Sequence, residues 1–299
     1  MVGRVIEIAT DGRHLSINRG FLVVSEKSEE VGRIPLDDIA AVLANAHGLT
    51  YTNNALVELS GRGVPIVLCG PNHMPAAIVW PVDAHHLQTG RMHDQISAGL
   101  PLKKRLWAQL VRTKILVQAA TLAATGASNT GFYLLSRKVR SGDPDNVEAE
   151  AARRYWPLLL GQEFRRDKDG DAINGLLNYG YAVLRAGIAR AVMAAGLHPG
   201  FGLMHSSRSN PMVLIDDLME PFRPVVDREV WRLVQNGTKE VDRDAKAALA
   251  KIMVIDLPTG MGLSPLMTCA ERLAQSLARA YAGDGDSLDL PLPALPLES

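Results

Sequence analysis

Glu148, His205 and Glu220 are the side chains of this 299-residue chain best suited to chemistry on a charged substrate. Glu148 sits in the run GDPDNVEAEAARRYW (142–156); the other two sit in GLMHSSRSNPMVLIDDLMEPFRPVVD (202–227). Two carboxylates and one imidazole form a hard-to-borderline ligand set, matched to a divalent cation such as Mg2+ or Mn2+. With no cysteine among them, phosphoryl chemistry fits better than structural zinc. Asp217 and Asp216 precede Glu220 by three and four residues, so both neighbour it on a helix. Asp217 reads as a ligand through water or as an anchor behind one. Arg223 would neutralise this acidic cluster or hold a phosphate. Ser206, Ser207, Arg208 and Asn210, beside His205, offer donors suited to phosphate oxygens.

The elements that must aim these groups are legible in outline. Asp143-Pro144 reads as a helix start, with the acid as N-cap, which puts Glu148 near the helix N-terminus and on one face with Ala152 and Tyr155. Gly196 reads as the C-cap of a long helix, and a Pro199-Gly200 turn then leads to His205, so a loop between two helices presents the imidazole. Pro221 stops or kinks the helix behind Glu220, and Asp227 is expected to cap a helix beginning REVW. Two apolar stripes have helical spacing: Trp107, Val111, Ile115, Ala119, Leu122, and Leu177, Tyr181, Leu184, Ile188, Met193. Beside the second run Asn174, Asn178 and Arg185, which share a face suited to a polar cleft or to solvent.

The expected fold class is α+β, a small N-terminal β-sandwich followed by a larger all-α domain. Residues 1–80 are β-rich, with Asp11-Gly12 as a hairpin signal, strands at 64–69 and 76–80, and helical or turn insertions at 37–39 and 52–60. Residues 81–93 lose periodicity and read as a linker, its His85-His86 pair polar rather than metal-binding; 94–282 are helical. The Pro-rich, acidic 283–299 reads as a disordered tail.

Formal net charge is zero, so a nucleic-acid surface has to come from local clusters: Lys103, Lys104 and Arg105; Arg137, Lys138 and Arg140; Arg153 and Arg154; Arg165 and Arg166. Taken singly, each cluster reads first as a solvated helix face. Cys69 and Cys269 read as reduced core residues. The N-terminal run has no signal-peptide core, and no stretch approaches the roughly 20 apolar residues of a membrane span, so a cytoplasmic location is expected.

Five stretches, 52–70, 106–122, 142–166, 173–186 and 202–227, together resemble the CRISPR-associated integrase, the universal endonuclease of spacer acquisition, in the branch found in type II systems. The resemblance implies that Glu148, His205 and Glu220 are catalytic metal ligands for Mg2+ or Mn2+, with Asp217, Asn178 and Arg223 auxiliary. Where the family often carries a His pair, this chain has Met204 before His205. Lys104, Arg105, Arg153, Arg165, Arg166, Arg185, Ser207 and Arg208 become candidates for DNA contact. The implied reaction is attack of a DNA 3′-hydroxyl on a phosphodiester at the edge of a repeat array. The implied partners are duplex DNA, a second copy of the chain held through the β-rich part, a small ferredoxin-like subunit completing a heterohexamer, and the type II effector nuclease. Two other readings stay open: a non-catalytic helical DNA-binding scaffold, and a general nuclease on branched DNA.

Overall fold

The computed structural model describes residues 3–70, 75–82, 84–167, 170, 172–206 and 209–293. The N-terminal part contains β1 (Arg4–Ile8), β2 (Arg13–Asn18), β3 (Phe21–Glu26), β4 (Glu29–Pro35), β5 (Ile39–Ala44), β6 (Thr50–Tyr51), α1 (Asn53–Gly61), β7 (Ile66–Cys69) and β8 (Pro75–Val79). These strands form two sheets, ordered β1-β5-β7-β8 and β4-β3-β2-β6. Ile8, Val42 and Ile66 of the first sheet meet Leu15, Leu22 and Val24 of the second in one core, closed by Leu59 of α1. Thr52 starts α1, its hydroxyl accepting from the Ala55 N–H at 3.1 Å.

The Asp11-Gly12 hairpin does not form. β1 pairs with β5 in parallel and β2 pairs with β3, so this turn carries the chain from one sheet to the other. The Asp11 carboxylate instead accepts from the His47 and Gly48 N–H groups. The true two-residue hairpins are Arg19-Gly20 (φ 49° and 81°) and Lys27-Ser28 (φ 48° and 71°), where the backbone twist of the flanking strands demands positive φ at both positions. β5 is buried along all six residues: Ile39, Val42 and Ala44 face the sandwich core, and Ala40, Ala41 and Leu43 face the helices. A strand covered on both faces has no polar alternation to betray it.

The helical part contains α2 (Gln88–Ser97), α3 (Leu100–Ala124), α4 (Phe132–Lys138), α5 (Val147–Leu160), α6 (Ala172–Ala194), α7 (Val213–Met219), α8 (Arg223–Gln235), α9 (Arg243–Leu249) and α10 (Leu266–Tyr281). A short hairpin of β9 (Asp256–Thr259) and β10 (Gly262–Pro265) interrupts it. Leu106, Leu110, Ile115 and Leu122 of α3 and Leu176, Leu177, Leu184 and Ile188 of α6 belong to one core, which Ala40, Ala41 and Leu43 of β5 extend. The Arg190 guanidinium, on α6, also donates to the Ile39 and Ala40 carbonyls.

Two segments differ from expectation. α2 begins at Gln88, inside the stretch read as a linker. The described part of the tail, to residue 293, is held against the helices: Gln109 bonds to the Asp286 carbonyl and the Leu288 N–H, and Leu288 is buried. Residues 294–299 lie outside the described residues. Among the described residues no helix is long and apolar enough to cross a membrane.

Candidate active site

The site is built along one line of α3. Trp107, Lys114 and Gln118 lie seven and then four residues apart, on one face. Lys114 is only 9% exposed, and an ammonium that deep needs charged partners. It donates to Glu148 Oε1 at 2.6 Å and to Glu220 Oε2. The second Glu220 oxygen accepts from Arg223 Nε at 2.8 Å. Burial disfavours every charge here, yet the mutual attraction wins. Arg223 and Lys114 hold the Glu220 carboxyl below the usual carboxylate range, and Glu220 and Glu148 hold Lys114 above the usual lysine value.

Local sequence explains how the two acids arrive. Asn146 in a left-handed conformation (φ 52°) precedes α5, and the Asp143 carboxylate accepts from the Val147 and Glu148 N–H groups. The helix thus starts three residues later than Asp143-Pro144 suggests, with Glu148 in its first turn, where its charge also suits the helix dipole. Glu220 lies at a short 3-10 turn (Glu220–Phe222) between α7 and α8, a tightening at Pro221 that the sequence foretells. α8 begins at Arg223, so Asp227 lies inside it and caps nothing.

His205 is aimed by Asp217. The wholly buried Asp217 carboxylate accepts from the Leu203 and Met204 N–H groups at 2.8 and 3.1 Å and meets His205 Nδ1 at 2.5 Å. Trp107 presents its ring edge-on to the imidazole, with centroids 5.0 Å apart. A Cβ on Gly202 would lie 2.3 Å from the His205 carbonyl oxygen and 2.4 Å from Val213 Cγ1, so this approach of loop to α7 requires glycine. Gln95 of α2, fully buried, pins the loop upstream through the His198 and Phe201 carbonyls. The Asp217 hydrogen bond raises the His205 pKa above the ordinary imidazole value. Asp217→Asn removes the negative charge and should bring the His205 titration back down toward that value, followed by NMR of the ring protons; an unmoved titration would mean that Asp217 does not set it.

A cavity of about 290 Å³ opens beside the acids, lined by Lys114, Gln118, Arg166, Tyr181, Arg223 and Asp227 among others. The Tyr181 ring lies under two guanidinium groups, Arg223 at 4.8 Å and Arg166 at 5.5 Å. Its hydroxyl donates to Asp227, whose carboxyl burial pushes up to about 7. The folded chain therefore keeps a proton that the unfolded chain loses near an ordinary aspartate pKa of about 4. Stability falls as pH rises between those two values, because the native state binds the extra proton. Asp227→Asn should flatten that slope in denaturant melts taken from pH 4 to 7.

The other residues singled out in the sequence separate into two groups. Asn174 and Asn178 accept from Arg166 at 2.8 and 2.6 Å and so hold it at the cavity. Arg185, on the same helix, pairs instead with Asp216 at 2.8 Å. Arg105 pairs with Asp286, Arg165 bonds to the Gln162 and Phe164 carbonyls, Arg153 is exposed, and the Lys104 carbonyl accepts from the Gly142 N–H; none of these four lines the cavity. Ser207 and Arg208 lie outside the described residues. Lys114, Tyr181 and Asp227 have a place in the site that sequence reasoning did not assign. A lysine at 114 and a glutamine at 118, on the same face as Trp107 and flanked by Ile115, Leu116 and Val117, were the available signal.

Among the described residues no three His, Cys, Asp or Glu side chains gather as a metal cage. Two of the three expected ligands, Glu148 and Glu220, do converge on one cation, the Lys114 ammonium. His205 engages Asp217 through Nδ1, which leaves Nε2 as the nitrogen available to a ligand. The donor set, two carboxylates meeting at one positive charge with an oriented imidazole, fits a divalent ion.

Residues 6–252 match the family model described as CRISPR associated protein Cas1. The CRISPR-associated endonuclease Cas1 of Neisseria meningitidis serogroup C (strain 8013) is 34% identical over 293 residues, covering 96% of this chain and 95% of the relative. The chain belongs to the Cas1 family. Its class is therefore that of the CRISPR-adaptation nucleases and integrases. Solved structures share the Cas1 fold at low identity. A casposase bound to integration product superposes with a TM-score of 0.83 at 19% identity, over 99% of this chain and 96% of that one. A Cas6-RT-Cas1–Cas2 complex gives 0.76 at 18% identity, over 99% of this chain and 36% of the longer one. A strand-rich N-terminal part followed by a helical one is thus the Cas1 architecture, as the α+β expectation has it.

Proposed function

We propose that this Cas1-family chain is a metal-dependent DNA integrase that inserts short duplex fragments into a repeat array by transesterification. The observation that carries the reading is the convergence of Glu148 and Glu220, from different helices, on one buried cation beside an oriented His205. Mg2+ or Mn2+, held by Glu148, Glu220 and His205 Nε2, would supply charge neutralisation at the phosphate and activation of the attacking hydroxyl. Asp217 fixes the His205 tautomer. Arg166 and Arg223 offer guanidinium groups to phosphate oxygens at the cavity. Arg105 and Arg153 on the exterior, with Lys104, Arg165, Arg185, Ser207 and Arg208, extend that contact along the DNA.

In this reading a DNA 3′-hydroxyl attacks a phosphodiester at the edge of a repeat, forming one ester bond as another breaks. The protein works as a homodimer joined through residues 1–80, whose outer strands offer unpaired backbone edges. Its partner is the small ferredoxin-like subunit, Cas2, with which a Cas1 is assembled in the complex above, and the two build a heterohexamer on duplex DNA. The type II effector nuclease assists, in keeping with the Neisseria relative, and the assembly acts in the cytoplasm.

The test is joining of a short duplex to a supercoiled plasmid carrying a repeat array. Joined product should depend on Mg2+ or Mn2+, disappear with EDTA and return on adding metal. DNA affinity should fall steeply with salt despite the zero net charge, with a log–log slope of about −0.9 per phosphate contacted. Cutting of branched DNA without joining would favour the general nuclease, and salt-independent binding would argue against a backbone clamp.

A further inference from the structure

Lys114 occupies the position between Glu148 and Glu220 that a divalent ion would need. A second cation cannot share two carboxylates with an ammonium at hydrogen-bond distance without strong repulsion. The structure offers the ammonium another seat. Gln118 lies one helical turn along α3, is 3% exposed, and its Oε1 has no hydrogen-bond partner among the described residues. A buried carbonyl oxygen left unpaired is costly, and this one lines the same 290 Å³ cavity as Lys114 and the Asp227 carboxyl.

We infer that Lys114 is a resident counter-cation with two positions: bridging Glu148 and Glu220 when no metal is bound, and turned into the cavity toward Gln118 Oε1 and Asp227 when one is. The lysine keeps its proton throughout and moves by side-chain rotation. Without metal it prevents two adjacent carboxylates from repelling one another. On metal binding it vacates the site, remaining as positive charge beside Arg166 and Arg223. Metal affinity is thereby weakened by the cost of moving Lys114. This inference rests on the metal-dependent reading above. Lys114 acts here as a positioning residue.

Binding of Mn2+ alone, without DNA, to the full-length chain tests it, read by the loss of the free-ion EPR signal. Lys114→Met should bind Mn2+ about tenfold tighter or more, since the competing charge is gone. Lys114→Arg, which keeps a cation in place, should not tighten it. Gln118→Leu, which removes the second seat, should bind several-fold more weakly. Equal or weaker binding by Lys114→Met overturns the inference while leaving the metal reading standing; no binding by parent or variants overturns both. Should Lys114→Met not fold, the parent itself decides. A crystal containing Mn2+, located by anomalous scattering, should show Lys114 Nζ out of hydrogen-bond reach of at least one of the two glutamates. A lysine still bridging both beside the bound ion overturns the inference.

Discussion

Glu220→Ala is expected to abolish strand joining and also to destabilise the protein by about 3–5 kcal/mol, the usual cost of removing one partner from a buried ion pair. Glu148→Ala should abolish joining at a markedly smaller cost. The difference follows from the two environments. Glu220 lies between Lys114 and Arg223, with a side chain 11% exposed, so its removal leaves one buried ammonium with a single partner and frees Arg223 from its own. Glu148 is 22% exposed and, among the described residues, pairs with Lys114, which keeps Glu220 when Glu148 is gone. Sequence alone suggests that either replacement leaves stability nearly intact, because removing a clustered carboxylate relieves repulsion. The buried lysine reverses that sign. Denaturant melts of the two variants, with plasmid-joining assays on the same preparations, check both halves. Joining by Glu220→Ala at the parent rate would remove it from the site, and equal destabilisation by the two substitutions would contradict the pairing.

Asp217 illustrates the same dependence on what lies behind a residue. Spacing puts it one turn from Glu220 and allows either a ligand through water or an anchor. It accepts from two backbone N–H groups and meets His205 Nδ1, contacts that suit an anchor, so its loss is expected to harm the loop as well as the chemistry. Its neighbours in sequence do not contain that information; the donors come from residues 203 and 204, brought over by a glycine-permitted approach. Acids on helices, a histidine on an inter-helix loop and a proline-tightened turn are local properties, and so were readable. Whether Arg166 faces the cavity while Arg165 faces its own backbone is decided by Asn174 and Asn178, one and two turns into the next helix. The β-rich part was readable as a class but not as a topology: β5 is hidden by burial on both faces, and Asp11-Gly12 has hairpin chemistry in a place where the chain changes sheets. The tail has the composition of a disordered segment, yet Gln109 and Ser276 give its backbone partners that composition cannot reveal.

Donor DNA ending in a 3′-deoxy sugar should bind as well as normal donor and fail to join, and no protein–DNA adduct should survive denaturation. The reason lies in the side chains available to attack phosphorus. Tyr181 reaches the cavity, but burial and the adjacent Asp227 push its phenol well above the ordinary value, and its hydroxyl already donates to Asp227. Burial likewise keeps the Tyr155 phenol protonated. Neither cysteine lines the cavity: Cys69 lies in the first sheet and Cys269 in α10, and burial raises both thiols, the second to about 11. A phenol or thiol held protonated well above neutral pH is a poor nucleophile. His205, oriented by Asp217, is placed as a ligand or proton carrier, and Glu148 and Glu220 are occupied in holding a cation. In the proposed reaction the attacking group is the hydroxyl that the DNA brings, and in-line placement of that hydroxyl is what the protein must supply. Removing one oxygen atom from the donor should therefore reduce joining below detection while leaving affinity within about twofold, because binding rests on phosphate contacts made along the whole duplex. Joining by the blocked donor, or a phosphotyrosine-type adduct on a denaturing gel, would overturn the direct-attack mechanism.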